Sequence, residues 1–256
     1  MRVLVTNDDG VESPGLLALT VALVRAGHDC TVVAPTSDRS GASAAIGPLH
    51  RLGPIPLVEH HWPEVPSVRV VAIDQPPAAA VYAACLGGFG DPPELVASGV
   101  NPGPNTGHLV LHSGTVGAAL TAAGLGVPGV AVSIAMGETF AWETASTIAA
   151  ACVDWAAQPH GGPRVLNVNV PNCVLHEVKG VREAHLAPYG TVWAGSADTA
   201  DGHVQLEFTG NDVEGDPDTD LALVRAGFAA VTPLHGIARA DLRGAATAAS
   251  AALETR

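Results

Sequence analysis

The chain has very few aromatic side chains: Phe, Trp and Tyr make up 4% of its 256 residues, although 47% of them are hydrophobic. A core with so few rings is built from Ala, Val and Leu, a composition suited to helices packed on a sheet. At this length the chain can bury one large domain, or one domain with an appendage. Lysine is nearly missing as well, Lys179 being the only one, and the formal net charge is −13. That balance excludes a nucleic-acid polymer as principal partner, because counterion release needs clustered Lys and Arg. Mean hydropathy is +0.28, yet no stretch joins transmembrane length to freedom from Pro, Gly and charge, and a basic segment followed by a long apolar one is missing at the N-terminus. The expectation is a soluble, cytoplasmic protein without a cleaved signal or membrane partner. Cysteine is sparse, and Cys30, Cys85, Cys152 and Cys173 are far apart with no CxxC pair. They read as buried free thiols of a reducing compartment, not as a zinc site.

What is present alternates. Val3-Leu4-Val5 is followed by a helical spacing over Gly15 to Arg25, then by the continuous run Cys30 to Ala34. The pattern recurs as strand Ser67 to Ile73, helix Ala78 to Cys85, strand Leu95 to Ser98 and helix Thr115 to Gly124. It continues as strand Gly129 to Ser133, helix Ala145 to Ala157 and strand Arg164 to Val170. Continuous apolar runs separated by helices predict parallel strands buried on both faces. The fold class is therefore α/β: a Rossmann-like, doubly wound, mostly parallel sheet, with residues 1–172 as the main α/β domain.

Residues 173–256 change character. His176 to Phe208 carries short β-like pieces, Gly190 to Trp193 and His203 to Phe208 among them, and reads as a hairpin arm. Leu221 to Gly227 predicts a short helix, Phe228 to Thr232 a last strand, and the Ala-rich stretch Arg239 to Leu253 a terminal helix. Large apolar residues are too few here for an independent core, so the segment is expected to serve oligomerisation, as an appendage reaching across a homodimer or homotetramer.

In an open α/β sheet, ligands bind outside the carboxyl ends of the strands. The first strand runs into Asn7-Asp8-Asp9-Gly10, the second into Asp38-Arg39-Ser40-Gly41-Ala42-Ser43, and a third into Gly99-Val100-Asn101 and on to Asn105. Ser113-Gly114-Thr115 opens a predicted helix just beyond. Two adjacent carboxylates repel each other unless a cation neutralises them. Joined by hydroxyl and amide oxygens they make a hard site for Mg²⁺ or Mn²⁺, and a helix N-terminus with free amides suits an anion. Metal and anion site together point to phosphate-ester chemistry.

The set N-D-D-G at 7–10, A-P-x-x-x-x-S-G at 34–41, S-G-V-N at 98–101 with P-N-T-G following, and S-G-T-V at 113–116 resembles the SurE family. The likeness continues through Asn167 to Pro171, Asp218 to Asp220 and Val231 to Leu234. It implies a metal-dependent 5'/3'-nucleotidase: one divalent ion per subunit, hydrolysing nucleoside monophosphates or related small phosphomonoesters. By the same resemblance Asp8, Asp9, Ser40 and Asn101 would hold the metal, with Asp8 or Asp9, or a water bound to the pair, handling protons. Asn7, Gly41, Ser43, Asn105, Ser113, Gly114 and Thr115 would surround the phosphate. The family also implies a protruding arm and an exchanged C-terminal segment.

Two departures bear on the leaving group. Thr106-Gly107-His108-Leu109 carries no acidic residue where many relatives do, and Asp74-Gln75-Pro76 stands where G-T-P is usual. Alternatives of other classes are a dedicated phosphatase of a phosphorylated specialised metabolite and a non-catalytic nucleotide-binding module. A phospho-acceptor receiver fails because the only lysine lies in the arm, and N-D-D-G does not supply the D-x-D of haloacid dehalogenase phosphatases. Asn167 and Asn169 read as structural hydrogen bonders, and His112 as packed or solvated. His60-His61 are expected in a Pro-rich surface loop, and Asp216 to Asp220 as a solvated turn.

Overall fold

The computed structural model describes residues 1–47, 53–158, 165–190, 192–200, 203–210 and 215–236. Strand β1 (Arg2–Thr6) leads into helix α1 (Pro14–Arg25) and strand β2 (Asp29–Pro35). There follow β3 (Leu57–His60), β4 (Arg69–Ile73), α2 (Pro77–Cys85), β5 (Leu95–Pro102), a 3₁₀ turn (Gly107–Leu111) and α3 (Gly114–Gly124). Next come β6 (Gly129–Ile134), α4 (Trp142–Ala156), β7 (Val165–Val170), β8 (Val181–Glu183), β9 (Val192–Ala200), β10 (His203–Gly210), α5 (Asp220–Arg225) and β11 (Ala229–Leu234). Among the described residues no helix is long and apolar enough to cross a membrane.

The main sheet runs β3-β4-β2-β1-β5-β6-β7-β11-β8. Strands β4, β2, β1, β5, β6 and β7 are mutually parallel, while β3 and β11 pair antiparallel to their inner neighbours. This is the doubly wound arrangement that the sequence predicts. Alternation along β1 shows how both faces are buried. Val3 and Val5 join a core with Leu16, Leu19 and Leu23 of α1 and Ile148 and Val153 of α4. Leu4 points the other way, to Ala80, Val81 and Ala84 of α2 and Ala118 and Ala122 of α3. Each fully buried leucine of α1 contributes about 1.5–3 kcal/mol of transfer free energy. Chain order reverses direction across the sheet between β1 and β5, which opens a crevice at their carboxyl ends.

The departures from the sequence reading lie at the edges. His60 is the last residue of β3, not part of a loop, and β8 had no counterpart in the apolar pattern. Both strands are short and expose most of their side chains, so they pair through the backbone with little hydrophobic signal. The acidic cluster also divides: Asp216 and Asp218 are solvated, but Asp220 is fully buried at the start of α5. Strands β9 and β10 form a separate two-stranded antiparallel ribbon, with a register shift between Glu207 and Phe208. From the chain beyond 172, β8 and β11 extend the main sheet. The expected terminal helix, residues 239–253, lies outside the described residues. The four cysteines are free thiols, Cys30 buried and the others half-buried.

Candidate active site

β1 ends at Thr6 and the chain turns at once. Asn7 Nδ2 donates to the Gly10 carbonyl at 3.0 Å, and Asn7 Oδ1 accepts the Gly10 amide at 3.2 Å. Gly10 has φ +107°, which a side chain would resist. The turn therefore points Asp8 and Asp9 outward from the strand end, into the crevice where β5 also ends.

Asp8 is 3% exposed. Its Oδ2 accepts the Gly114 amide at 3.1 Å and its Oδ1 accepts the Thr115 hydroxyl at 2.5 Å. That hydroxyl also lies 3.3 Å from Asn101 Oδ1. The first turn of α3 thus wraps the Asp8 carboxylate, where the helix end favours negative charge. A Cβ on Gly114 would sit 2.7 Å from Asp8 Oδ2, so glycine is what permits the approach. Burial pushes the Asp8 carboxyl above its ordinary range, and the Thr115 hydroxyl and the amides of Gly114 and Thr115 pull it back.

Asp9 is less well served. Its Oδ2 is buried with no hydrogen-bond partner. Burial, then Asp8, then Asp38 push its pKa up to about 7. A carboxylate so placed lacks a counter-charge.

Asn101 reaches the same place from β5. The pairing of β5 with β6 slips between Ser98 and Asn101, at Gly99, whose φ is +134° and whose Cβ would meet the Val132 carbonyl oxygen at 2.3 Å. Such an irregularity re-aims a side chain at a strand end. Asn101 Nδ2 donates to the Gly103 carbonyl at 2.7 Å, which leaves Oδ1 turned to Thr115.

The loop after β2 is strung alongside, the Arg39 amide donating to the Asp8 carbonyl at 2.7 Å. The Ser40 amide and hydroxyl both donate to Asp38 Oδ1, at 2.7 and 2.6 Å, and Ser40 and Gly41 are exposed. Ser43 donates its amide to the His112 carbonyl at 3.2 Å and its hydroxyl to the Leu111 carbonyl at 2.7 Å, which binds this loop to the start of α3. Ser113 caps α3 by accepting the Val116 amide at 3.1 Å. Asn105 is held from β7: its amide donates to Asn169 Oδ1 at 2.8 Å, and its carbonyl accepts Asn167 Nδ2 at 2.8 Å and Asn169 Nδ2 at 3.1 Å. The two asparagines are thus structural hydrogen bonders. His108 and His112 are exposed.

Asp8, Asn101, Gly114 and Thr115 are therefore joined by direct contacts, with Asp9 beside them. Asn7, Ser43 and Ser113 shape the loops around them, and Ser40 and Gly41 lie on the rim. Among the described residues no three His, Cys, Asp or Glu side chains are grouped so as to hold a metal ion, so a cation here would draw on two carboxylates and neutral oxygens. Sequence reasoning placed Asp38 and Arg39 in the loop after the second strand but gave them no role. Arg39 pairs with Asp74 at the end of β4, and its buried Nε has no partner. The adjacent opposite charges in Ser37-Asp38-Arg39-Ser40, directly after a buried strand, were the available signal.

The family model of survival protein SurE matches residues 3–190. The chain belongs to the SurE family. The 5'-nucleotidase SurE of Desulfitobacterium hafniense is 34% identical over 248 residues, covering 92% of this chain and 91% of that protein. The 5'/3'-nucleotidase SurE of Cronobacter sakazakii is 34% identical over 239 residues, covering 92% and 90%. The crystal structure of the SurE protein from Aquifex aeolicus superposes with a TM-score of 0.75 at 27% identity, covering 100% of both chains. SurE membership thus extends over the crevice, since every residue named in it falls within 3–190.

Proposed function

We propose that the protein is a phosphoric monoester hydrolase of the nucleotidase type, acting on nucleoside monophosphates with one divalent cation per subunit. The names of its SurE relatives support the reaction class. The observation that carries the metal reading is the buried, unpartnered Asp9 Oδ2 beside the buried Asp8. Adjacent carboxylates in this state fit a hard cation, and Asp8, Asp9 and Asn101 would hold it through carboxylate and amide oxygens, with Ser40 on the neighbouring loop. When bound, Mg²⁺ or Mn²⁺ supplies charge neutralisation at the phosphoryl oxygens and an acidified water.

The chain's own residues do the rest. Thr115 and the Gly114 amide fix the Asp8 carboxylate in one orientation, so its lone pairs face the crevice without reorganisation. Without metal, burial, Asp8 and Asp38 push the Asp9 pKa up to about 7, so cation binding there would displace a proton, and an aspartate of the pair or a bound water would handle the proton of the reaction. The loops carrying Gly41, Ser43, Asn105 and Ser113 would bound the phosphate. The Arg39–Asp74 ion pair lies on the β4 side, and its Asp74, one of the departures from the family pattern, would bear on the leaving group. A dedicated phosphomonoester other than a nucleotide is the reading this departure favours second. The four free thiols support a reducing compartment, the cytoplasm. In the deciding experiment, chelator-treated protein is assayed on nucleoside monophosphates, other phosphomonoesters and p-nitrophenyl phosphate, with and without Mg²⁺ and Mn²⁺. Activity restored by neither ion on any substrate overturns the proposal.

A further inference from the structure

We propose that Asp220 is a positioning residue for the phosphate-binding loop, fastening Gly107 from the far end of the chain while tying that loop to the base of the hairpin arm. The inference rests on the phosphatase reading of the crevice. Asp220 is fully buried. Its Oδ2 accepts the Gly107 amide at 2.9 Å, and its Oδ1 accepts the amides of Ala187 at 3.0 Å and Leu221 at 2.8 Å. A carboxylate withdrawn from water is costly unless its lone pairs are filled, and backbone amides fill them here. Burial raises its carboxyl pKa and the three amides lower it.

The tether lands where it has most effect on the site. Gly107 comes two residues after Asn105, whose backbone is held from the other side by Asn167 and Asn169. Asn105 Nδ2 also donates to Ser133 Oγ at 2.8 Å. The strand β7 side and Asp220 therefore clamp the two ends of one short loop. Gly107 leaves no room for a side chain: its φ is +55°, and a Cβ there would lie 2.3 Å from the Tyr189 carbonyl oxygen, so the chain at Tyr189 packs directly on the loop backbone. From Gly107 the 3₁₀ turn leads through Ser113, the cap of α3, to Gly114 and Thr115, which hold Asp8. Gly190 packs closely alongside, since a Cβ there would lie 2.2 Å from the Leu109 side chain.

Only a carboxylate can make this joint. Both oxygens accept N–H groups, whereas an asparagine offers one accepting oxygen and one donating amide. Whichever way Asn is turned, its NH₂ faces an N–H. Its oxygen is best kept on the Ala187 and Leu221 side, which accepts two bonds, so the NH₂ is forced against Gly107. Asp220→Asn thus keeps the size and breaks the loop tether.

The test uses the full-length, metal-loaded protein with p-nitrophenyl phosphate as substrate and inorganic phosphate as inhibitor. Asp220→Asn is expected to raise KM and the phosphate inhibition constant roughly tenfold, the scale of one charge-assisted hydrogen bond. Mn²⁺ affinity, read by calorimetry, stays within about twofold, because Asp8, Asp9 and Asn101 are left in place. A variant with lower melting temperature and kcat but unchanged KM and phosphate inhibition overturns the proposal, since that is what a purely structural role gives. If wild type itself neither turns over the substrate nor binds phosphate, the phosphatase reading has failed instead. Should the variant not fold, hydrogen exchange of wild-type residues 103–109 reads the same joint: slow exchange without metal or phosphate supports it, and fast exchange overturns it.

Discussion

At the scale of single residues, Asp9 ties its proton to stability and, on the proposed function, to the metal. Its pKa of about 7 in the metal-free protein is set first by burial, then by Asp8 and Asp38. The native state holds this proton more tightly than the unfolded chain, where an aspartate titrates near about 3.9. Metal-free stability from this group is therefore greatest below about pH 4, declines as pH rises towards about 7, and is flat above. Asp9→Asn should melt higher than wild type at pH 8 without metal, the gap closing as pH falls to about 4. Added Mn²⁺ should raise the wild-type melting temperature and leave that of the variant almost unmoved. Equal metal-free melting temperatures at pH 8 would show that Asp9 carries no such burden. The two carboxylates were legible in the sequence because charge at the end of a buried strand is costly without a purpose. Asp220 was not legible, because Asp216 and Asp218 beside it are exposed and one acidic string looks uniformly solvated.

At the scale of elements, close approach of α3 to the β1 turn is the decisive contact. Gly114→Ala places a methyl group 2.7 Å from Asp8 Oδ2 and must push the carboxylate or the helix aside. It should lower kcat/KM by about a hundredfold, the scale of a misplacement near 1 Å, with only a small fall in melting temperature. Gly15→Ala is the contrasting case. Its Cβ would lie 2.1 Å from the Val100 carbonyl oxygen, so α1 must lift from β5. A loss of about 3 kcal/mol in denaturant unfolding is expected, with activity per folded molecule less affected. Strands buried on both faces announced themselves as continuous apolar runs, as in Cys30 to Ala34 and Gly129 to Ser133. β3 and β8 did not, because edge pairing is a property of the backbone and needs no apolar side chain.

At the scale of the whole molecule, the β9–β10 ribbon has no sheet partner among the described residues beyond its own two strands. An isolated two-stranded ribbon is marginal in water. Val204 and Leu206, two apart on β10 and so on one face, are 67% and 55% exposed. We propose that this face packs against another copy of the chain, in at least a dimer. Light scattering of the wild type at low micromolar concentration should give a mass above one chain, and Val204→Asp with Leu206→Asp should lower it. A stable, active monomer of the wild type would overturn the proposal. The arm was legible as short β pieces, but its partner surface was not, since β-like sequence alone does not name what it pairs with.

The hydrogen bond from Gly107 to Asp220 spans 113 positions of the chain, and that from Gly114 to Asp8 spans 106. During synthesis Asp8, Asp9, Ser40 and Asn101 leave the ribosome long before the residues that brace the loop between them and Thr115. A growing chain released or cut before residue 215 would hold every candidate metal ligand and still lack that brace. On the Asp220 proposal, catalytic competence would be a late event in the life of the chain, reached only when α5 and β11 have been made and have docked.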